Sequence, residues 1–300
     1  MSRLSTKQKV LLGFGVYVAI TIAIVAATGF SRTDNAFNFQ PQNEFKLDNW
    51  VELGVFSITK AVMYVVIAGI LTVATMLYVA NRMQAKPNRV QTLVEMLFGL
   101  MRDNITRGSM DDRMARKWFP FIGTLFLFIL FSNLIGYIPL PTNTEHPFTL
   151  FGIEFPSFAL YAATANLSIP LVLALIVFIA YTTEGIRAKG PIGYLKSLIP
   201  AGVTGGMAGF IFVLELFSNV MRLMSLSVRL FANILAGHLI ILFMGGALAV
   251  LLGIAALGWI TLPLGVLLFV FEVGLVAGLQ AFIFATLTAI YLGGAVAESH

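Results

Sequence analysis

The feature that most constrains this chain is a series of long apolar segments. Six windows have the length, about 20 residues at 1.5 Å of rise each, that a helix needs to cross roughly 30 Å of hydrocarbon. Of its 300 residues, 58% are hydrophobic and 11% are charged, which is typical of a polytopic membrane protein. We therefore predict an all-α membrane fold of about six hydrophobic helices. The windows lie at about 10–30, 53–80, 119–140, 158–182, 204–247 and 262–294.

Basic residues distinguish the two sides of the membrane. Fourteen of the 19 Lys and Arg residues lie before the first window, between positions 82 and 117, or just after the fourth window. The loops on the other side hold only Arg32 and Lys46. The positive-inside rule then places the N-terminus and both basic loops in the cytoplasm, and six crossings return the C-terminus there. The net charge of +5 thus reflects topology, and we expect no nucleic-acid partner.

The predicted domain organisation is simple. Residues 1–50 are expected to form an N-terminal anchor helix and an extracytoplasmic loop, and residues 51–300 form the membrane domain. The basic start of the first window and its small residues Ala26 and Ala27 also fit a cleaved signal peptide, so both alternatives stay open. Between the second and third windows, residues of about 88–105 are predicted to form an amphipathic helix on the cytoplasmic surface. Its apolar face is formed by Val90, Leu93, Val94, Leu97 and Leu100.

The fifth window is too long for one upright crossing. Its 44 residues correspond to about 66 Å of helix, twice the thickness of the hydrocarbon. Either one helix lies steeply tilted in the membrane, or two spans are joined by a turn near Gly237 or Gly245–Gly246. Two spans would add a crossing and move the C-terminus outside. Apart from Asn233 and His238, the second half is almost entirely apolar, which favours the tilted helix.

Charged residues inside the windows are the candidates for function. Three of the five lie in the fifth window, where they form a polar stripe within about 80° of each other at 100° per residue. Ser227 and His238 point to a different side of that helix. The charged residues within the windows are Lys60, Glu215, Arg222, Arg229 and Glu272, and the stripe consists of Glu215, Asn219, Arg222, Arg229 and Asn233.

Arg229 is the hardest of these residues to explain structurally. Glu215 and Arg222 either neutralise each other near an interface or line a polar path. Arg229 has no further acidic residue beyond it on the stripe, and a charge inside the membrane costs at least a few kcal/mol. A partner on another chain or an aqueous cavity is therefore expected, although snorkelling to the headgroups is an alternative.

The last window also combines polar and small residues. Glu272 and Gln280 lie two turns apart and about 80° round an α-helix, and Glu272 either titrates or stays protonated through burial. A strip of small side chains permits close helix packing, within the chain or with a partner. The strip consists of Gly274, Ala277, Gly278, Ala281 and Ala285.

Together, the isolated arginine, the buried imidazole and the glutamates are components of a proton path. The chain has no cysteine, no HExxH zinc motif and no GxSxG nucleophile elbow. We therefore predict neither a metal site nor a cofactor, and an intramembrane hydrolase is not favoured.

The segments LSVRLFANILAGHLI and LQAFIFATLTAIYL resemble subunit a of the rotary F-type ATP synthase. The upstream segments QTLVEMLFGLMRDN and FPFIGTLFLFILFSNLIGYIP resemble the surface helix of that family and the transmembrane helix that follows it. The resemblance covers about residues 50–298. It implies that the last two segments form a long tilted hairpin against a ring of c subunits, which favours one helix for the fifth window.

The resemblance also implies roles for individual residues. Arg229 matches the essential arginine of the family, Asn233 the asparagine one turn later, and Gln280 the glutamine of the last helix. Glu215 and Arg222 match upstream polar positions, and His238 occupies a site where many members have glutamate or histidine. Glu272 lies eight residues before Gln280, whereas the family usually has seven. The usual aspartate and asparagine of another segment appear as Asn166 and Ser168.

The sequence therefore predicts a proton-translocating stator subunit that is not an enzyme by itself. Two aqueous half-channels and Arg229 would couple ion flow past c-ring carboxylates to rotation and ATP synthesis. The expected partners are the c-ring, the b subunits of the peripheral stalk, the remaining ATP synthase subunits and lipid, in a bacterial inner membrane. A secondary transporter that uses Arg229 to bind an anionic substrate, and a structural scaffold, are the alternatives.

Overall fold

The computed structural model describes most of the chain after residue 48. The predicted N-terminal anchor, the first apolar window and Gly245–Gly246 lie outside the described residues. The described ranges are 49–53, 56–82, 84, 87–138, 140–150, 153–159, 161–199, 202–203, 205–244 and 258–297.

Helices account for most of the described structure. The α-helices are α1 (Lys60–Arg82), α2 (Arg89–Gly99), α3 (Arg107–Ser109), α4 (Asp112–Ile135), α5 (Ser168–Lys189), α6 (Pro191–Ser197), α7 (Gly206–Leu242), α8 (Gly258–Phe271) and α9 (Ala277–Val296). Two π-helical segments, Leu100–Thr106 and Glu272–Val276, follow α2 and connect α8 to α9. A 3₁₀ turn at Ala163–Ala165 precedes α5.

Within the described ranges, five helical segments are long and apolar enough to cross a membrane. They are α1, α4, α5, α7 and the continuous helix Gly258–Val296, and they correspond to the last five predicted windows. The all-α polytopic membrane fold is thus confirmed. Several boundaries differ from the prediction, since the second and fourth windows begin inside β-strands and α5 continues beyond the predicted end to Lys189.

Two antiparallel β-hairpins lie in the connecting segments, where the sequence analysis expected no strands. Strands β1 (Asn49–Leu53) and β2 (Phe56–Thr59) form one hairpin. Strands β3 (Leu140–Leu150) and β4 (Ile153–Ala159) form the other. The second window includes β2 and the fourth includes the last two residues of β4, because hydropathy alone does not distinguish a short apolar strand end from the start of an apolar helix.

The predicted surface helix is present as α2 and the π-helical segment after it. The Asn88 side chain caps its N-terminus by accepting a hydrogen bond from the Gln91 backbone N–H at 2.8 Å. Leu97 and Leu100 pack against the hydrophobic core. Leu93 is 58% exposed within the protein, which agrees with an apolar face that lies against lipid. The side chain of Val90 lies outside the described residues.

The described chain forms two compact units. The larger unit comprises Leu47–Leu235 and Val273–His300, and the smaller one includes Ala236–Glu272. Within the larger unit, α4 packs against α1 and α9, and α9 also packs against α5. One apolar core runs along α4, α5 and α9, and α7 contributes Leu226, Leu230 and Ile234 to it. A second apolar cluster joins α1 to the end of α4 and to the 3₁₀ turn.

The small-residue strip of the last window has two different environments. Ala277, Ala281 and Ala285 are fully buried, so they serve helix packing within the chain. Gly274 and Gly278, in contrast, have open space around them, since a Cβ placed on either residue would have no heavy atom of another element within 4 Å. Helix packing within the chain therefore explains why the alanine positions are small. The two glycine positions face open space among the described residues, where another protein chain could approach.

A buried asparagine connects three elements of the larger unit. Asn133 of α4 is fully buried, and its Nδ2 donates to the Ala277 carbonyl oxygen at 3.2 Å. Its Oδ1 accepts a hydrogen bond from the Thr164 hydroxyl at 2.8 Å. In a low-dielectric interior such satisfied hydrogen bonds fix the relative positions of the elements that they join. Asn133 thereby holds the 3₁₀ turn and the start of α9 against α4.

We predict that Gly136→Ala destabilises the protein, because Ala162 lies too close to Gly136 to leave room for a side chain. A Cβ at Gly136 would lie 2.8 Å from the Ala162 Cα, and overpacking of this kind typically costs about 1–3 kcal/mol. The thermal unfolding midpoint of the purified full-length chain in detergent measures the effect.

Gly69→Ala is the matched control for this substitution. Gly69 lies inside α1, where a Cβ would meet no heavy atom of another element within 4 Å, and alanine is the better helix former by about 0.5–1 kcal/mol. Its midpoint should stay unchanged or rise. Equal midpoints for the two variants would refute the packing account of Gly136.

Candidate functional site

The candidate site is built on α7, which is one continuous helix over Gly206–Leu242. Its 37 residues correspond to about 56 Å at 1.5 Å per residue, well beyond roughly 30 Å of hydrocarbon. The helix passes through Gly237 without a turn, so the alternative of two spans joined there is excluded. A helix this long and this apolar fits within a membrane only if it is strongly tilted.

Arg229 lies on the exposed face of α7, and Asn233 is exposed one turn later. Leu226 and Leu230, on the buried side of the same helix, are 3% and 1% exposed and pack into the core. Among the described residues, no carboxylate lies within 4.0 Å of the Arg229 guanidinium. The charge therefore projects away from the protein's own interior.

The surface around Arg229 is apolar. Large hydrophobic side chains continue along the exposed side of the helix, and several are more than 40% exposed. They include Leu216, Phe217, Val220, Met221, Met224, Val228 and Ile240. A guanidinium on such a surface can be desolvated only if an acidic group from another molecule pairs with it.

The first part of the predicted stripe lines a cavity of about 550 Å³ in the larger unit. Glu215, Asn219 and Arg222 of α7 all contribute to its wall, as predicted from their shared face. Sequence reasoning did not identify the other wall residues, because they come from three further segments. They include Tyr181, Lys189, Tyr194, Ser197, Tyr291 and Ala297.

Hydrogen bonds and ring contacts hold the polar wall of this cavity in place. Asn219 is 7% exposed, its Oδ1 accepts a hydrogen bond from the Tyr181 hydroxyl at 3.3 Å, and its Nδ2 donates to the Glu215 carbonyl oxygen at 3.0 Å. The Arg222 Cζ lies 5.8 Å from the centroid of the Tyr291 ring, within the range of a cation–π interaction. The wall thus offers titratable and hydrogen-bonding groups around a space large enough for water.

Lys189 borders the same cavity at the end of α5. Its Nζ donates to the Ala297 carbonyl oxygen at 2.7 Å, which joins the end of α5 to the end of α9. A basic residue at this position belongs to the loop that the charge distribution assigns to the cytoplasm. The cavity is therefore expected on the cytoplasmic side.

A second polar group lies in the smaller unit. The Glu272 carboxylate lies directly against Gly237, where a Cβ would be 2.7 Å from Oε1. His238, the next residue along α7, is 4% exposed. The structure thus brings Glu272 to the residue that precedes His238, although the two are distant in sequence.

The helix that carries Glu272 is not purely α-helical. Glu272–Val276 form a π-helical turn, and a π turn accommodates one residue more than an α turn. The angle of about 80° between Glu272 and Gln280, calculated for an uninterrupted α-helix, therefore does not describe this segment. The spacing of eight residues, one more than is usual in the resembling family, coincides with a turn that accommodates one extra residue.

Gln280 is buried in the larger unit. It is 5% exposed and lies in α9 one residue before the buried Ala281. Asn133 holds the start of this helix through the Ala277 carbonyl. The amide of Gln280 is therefore carried by a firmly packed helix.

We predict that Gly237→Ala displaces the Glu272 carboxylate, because a methyl group would occupy its position. The substitution should lower the free energy of unfolding by about 1–3 kcal/mol, measured as the thermal midpoint in detergent. In the double variant Gly237→Ala/Glu272→Ala the collision is removed, so the combined loss should be smaller than the sum of the single losses. Additive losses would contradict the contact.

Comparison with known proteins agrees with this architecture. The sequence model of the family described as ATP synthase A chain matches residues 62–293. A protein named ATP synthase subunit a from Maricaulis maris is 32% identical over 81% of this chain and 90% of its own length. The protein of the same name from Rubrobacter xylanophilus is 35% identical over 79% of this chain and 83% of its own.

A third relative, ATP synthase subunit a from Bradyrhizobium diazoefficiens, is 33% identical over 87% of this chain and 98% of its own length. The family match extends from α1 almost to the end of α9, and thus includes the helix with Arg229, both sides of the 550 Å³ cavity and the Glu272 turn. This multi-pass membrane protein belongs to the ATP synthase subunit a family.

Proposed function

We propose that this chain is the proton-translocating stator subunit of an F-type ATP synthase, with Arg229 facing the carboxylates of a rotating c-ring. The observation that carries the proposal is the exposed guanidinium on the apolar face of α7, which has no carboxylate partner among the described residues. An acidic group supplied by another subunit satisfies this charge. The chain provides a path for ions, and nucleotide chemistry takes place elsewhere in the complex.

The chemistry of arginine fits this role. A carboxyl group in contact with lipid is neutral because desolvation disfavours its charged form, whereas a nearby guanidinium stabilises the carboxylate. Arginine does not itself lose the proton. A ring carboxyl group must therefore release its proton on one side before it passes Arg229, and the resulting carboxylate takes up a proton on the other side. The fixed positive charge also repels a proton that would leak directly between the two sides.

The 550 Å³ cavity supports a cytoplasmic half-channel. Glu215 supplies a titratable carboxylate, Asn219 supplies an amide, and Arg222 supplies a cation at its wall. The basic residues near this end of α5 and α6 favour the cytoplasmic side for it. Protons exchange through this cavity between the cytoplasm and the ring.

His238 and Glu272 are the candidates for the extracytoplasmic half-channel. Both can titrate, and the Glu272 carboxylate lies against the residue next to His238. Asn233 and Gln280 supply amides on α7 and α9, where they assist proton transfer near Arg229 without titrating. Each elementary charge that crosses 100 mV provides about 2.3 kcal/mol, which the complex converts to rotation.

The remaining assignments follow from this role. The exposed apolar face of α7 contacts the c-ring, and b subunits of the peripheral stalk hold the chain against rotation together with the rest of the complex. The protein resides in a bacterial inner membrane with both termini in the cytoplasm. No cofactor is assigned to it.

Arg229→Ala should abolish coupled transport. We expect ATP-driven proton uptake to fall to background in vesicles that contain the assembled mutant complex, because nothing then stabilises the ring carboxylate. Arg229→Lys should fail as well, since an ammonium lacks the planar fork and loses its proton more readily when desolvated. Quenching of a pH-sensitive dye measures uptake.

Arg113→Ala is the matched control, since Arg113 is an exposed residue of α4 outside the proposed path. It should pump at the wild-type rate, and gel analysis of the purified complexes should show equal assembly. Normal uptake by assembled Arg229→Ala complexes would refute the proposal.

Cysteine substitution tests the two half-channels, because the chain has no native cysteine. In oriented vesicles, a charged thiol reagent added on the cytoplasmic side should modify Glu215→Cys, Asn219→Cys and Arg222→Cys. The same reagent should reach His238→Cys only from the other side. Mass spectrometry of the labelled chain gives the modified fraction.

Leu230→Cys serves as the unreactive control, because Leu230 is 1% exposed and packs in the core. Labelling of all four path positions from one side would rule out the assignment of separate half-channels. Labelling of Leu230→Cys at the same rate as the path positions would show that the reagent reaches unfolded protein.

A further inference from the structure

We propose that a cavity beside α2 binds the phosphate of an anionic phospholipid on the cytoplasmic side of the membrane. This arginine cavity has a volume of about 280 Å³ and lies at the junction of α2, its π-helical extension and α4. Its wall includes Arg102, Arg107 and Arg116 together with the rings of Phe98 and Phe119. The site is separate from the proposed proton path, so neither proposal depends on the other.

The three arginines retain donors for a phosphate. Arg107 is engaged, since its Nη1 lies 3.1 Å from an Asp103 oxygen and its Nε 3.3 Å from an Asp112 oxygen. The Arg102 Nε is 4.0 Å from Asp103, which is beyond hydrogen-bonding distance.

Arg116 has no ion pair in the described part of the chain. Each guanidinium has five N–H donors, and arginine favours phosphate because its planar fork binds two oxygens at once. Arg102 and Arg116 therefore retain donor groups at a cavity whose lining residues, in the described part of the chain, include no carboxylate.

Two aromatic rings in the cavity wall favour a lipid over a free phosphate. The Phe98 and Phe119 rings meet edge to face at 4.7 Å between centroids and both line the arginine cavity. A neighbouring cavity of about 140 Å³ is not apolar, since Glu95 and Asp103 lie in its wall beside Val79 and Val94. A phosphate between the arginines would thus have the two rings, and not that neighbouring cavity, next to its acyl chain.

The position in the membrane agrees with this occupant. Met96 and Phe98 of α2 are 68% and 44% exposed, as expected for a helix that lies in the lipid interface. The adjoining segment belongs to the basic loop that the positive-inside rule assigns to the cytoplasm. Anionic lipid in that leaflet attracts basic residues with about 1 kcal/mol for each one near the surface.

The test measures lipid retention by the purified, delipidated complex that contains this chain. Phosphatidylglycerol is added back, and native mass spectrometry measures the bound fraction on this subunit. Arg102→Gln and Arg116→Gln should each weaken retention about fivefold or more, the effect of about 1 kcal/mol per arginine. Arg113→Gln, which removes an equal charge from the same helix outside the cavity, should change it less than twofold.

Two further arms identify the source of the phosphate. Phosphatidylcholine should bind less tightly than phosphatidylglycerol, and inorganic phosphate at the same concentration should not displace the lipid. Phe98→Asn should weaken phosphatidylglycerol retention because it removes one of the two rings that line the arginine cavity. Equal thermal midpoints of the variants would exclude unfolding as the cause.

Three outcomes would overturn the proposal. An equal loss with Arg113→Gln would mean general attraction to a basic surface. Displacement of the lipid by inorganic phosphate would mean a free-phosphate site. Loss of another subunit from the Arg116→Gln complex, with lipid retention unchanged, would mean that a protein partner occupies the cavity.

Discussion

The candidate site on α7 depends on one constraint, which is the charge of a single arginine in an apolar surface. A cation in hydrocarbon is costly unless an anion or water accompanies it, and Arg229 projects from α7 on the side away from the core. The side of α7 that carries Leu226, Leu230 and Ile234 fixes the helix against the rest of the larger unit. In the proposed function, an acidic group of a second protein pairs with Arg229 on the other side.

Helix length and hydrocarbon thickness set the second constraint. A helix of 37 residues with large exposed hydrophobic side chains is tilted in the membrane, and its polar residues are then distributed through the depth of the bilayer. Glu215 and Arg222 border the cavity near α6, whereas Gly237 contacts Glu272 farther along the chain. Helix α7 thus carries Arg229, with polar surroundings near Glu215 and Arg222 before it in the chain and near Gly237 after it.

Periodicity and hydropathy predicted the spanning helices and the polar stripe of α7, because both depend on local sequence. They did not predict the two β-hairpins, because a search for long apolar windows detects spanning helices and does not detect strand pairing, and β3 carries too many polar residues to enter such a window. Tyr181 and Tyr291 were missed because their contacts with Asn219 and Arg222 depend on long-range packing.

The π-helical turn at Glu272–Val276 changes how distances along this chain should be counted. In an uninterrupted α-helix, the gain or loss of one residue rotates everything beyond it by about 100°. At a π turn the additional residue is held within the turn, so its removal would restore an α-helix without turning the flanking faces. Related chains can therefore differ by one residue in the spacing of two polar side chains and still present both to the same surroundings.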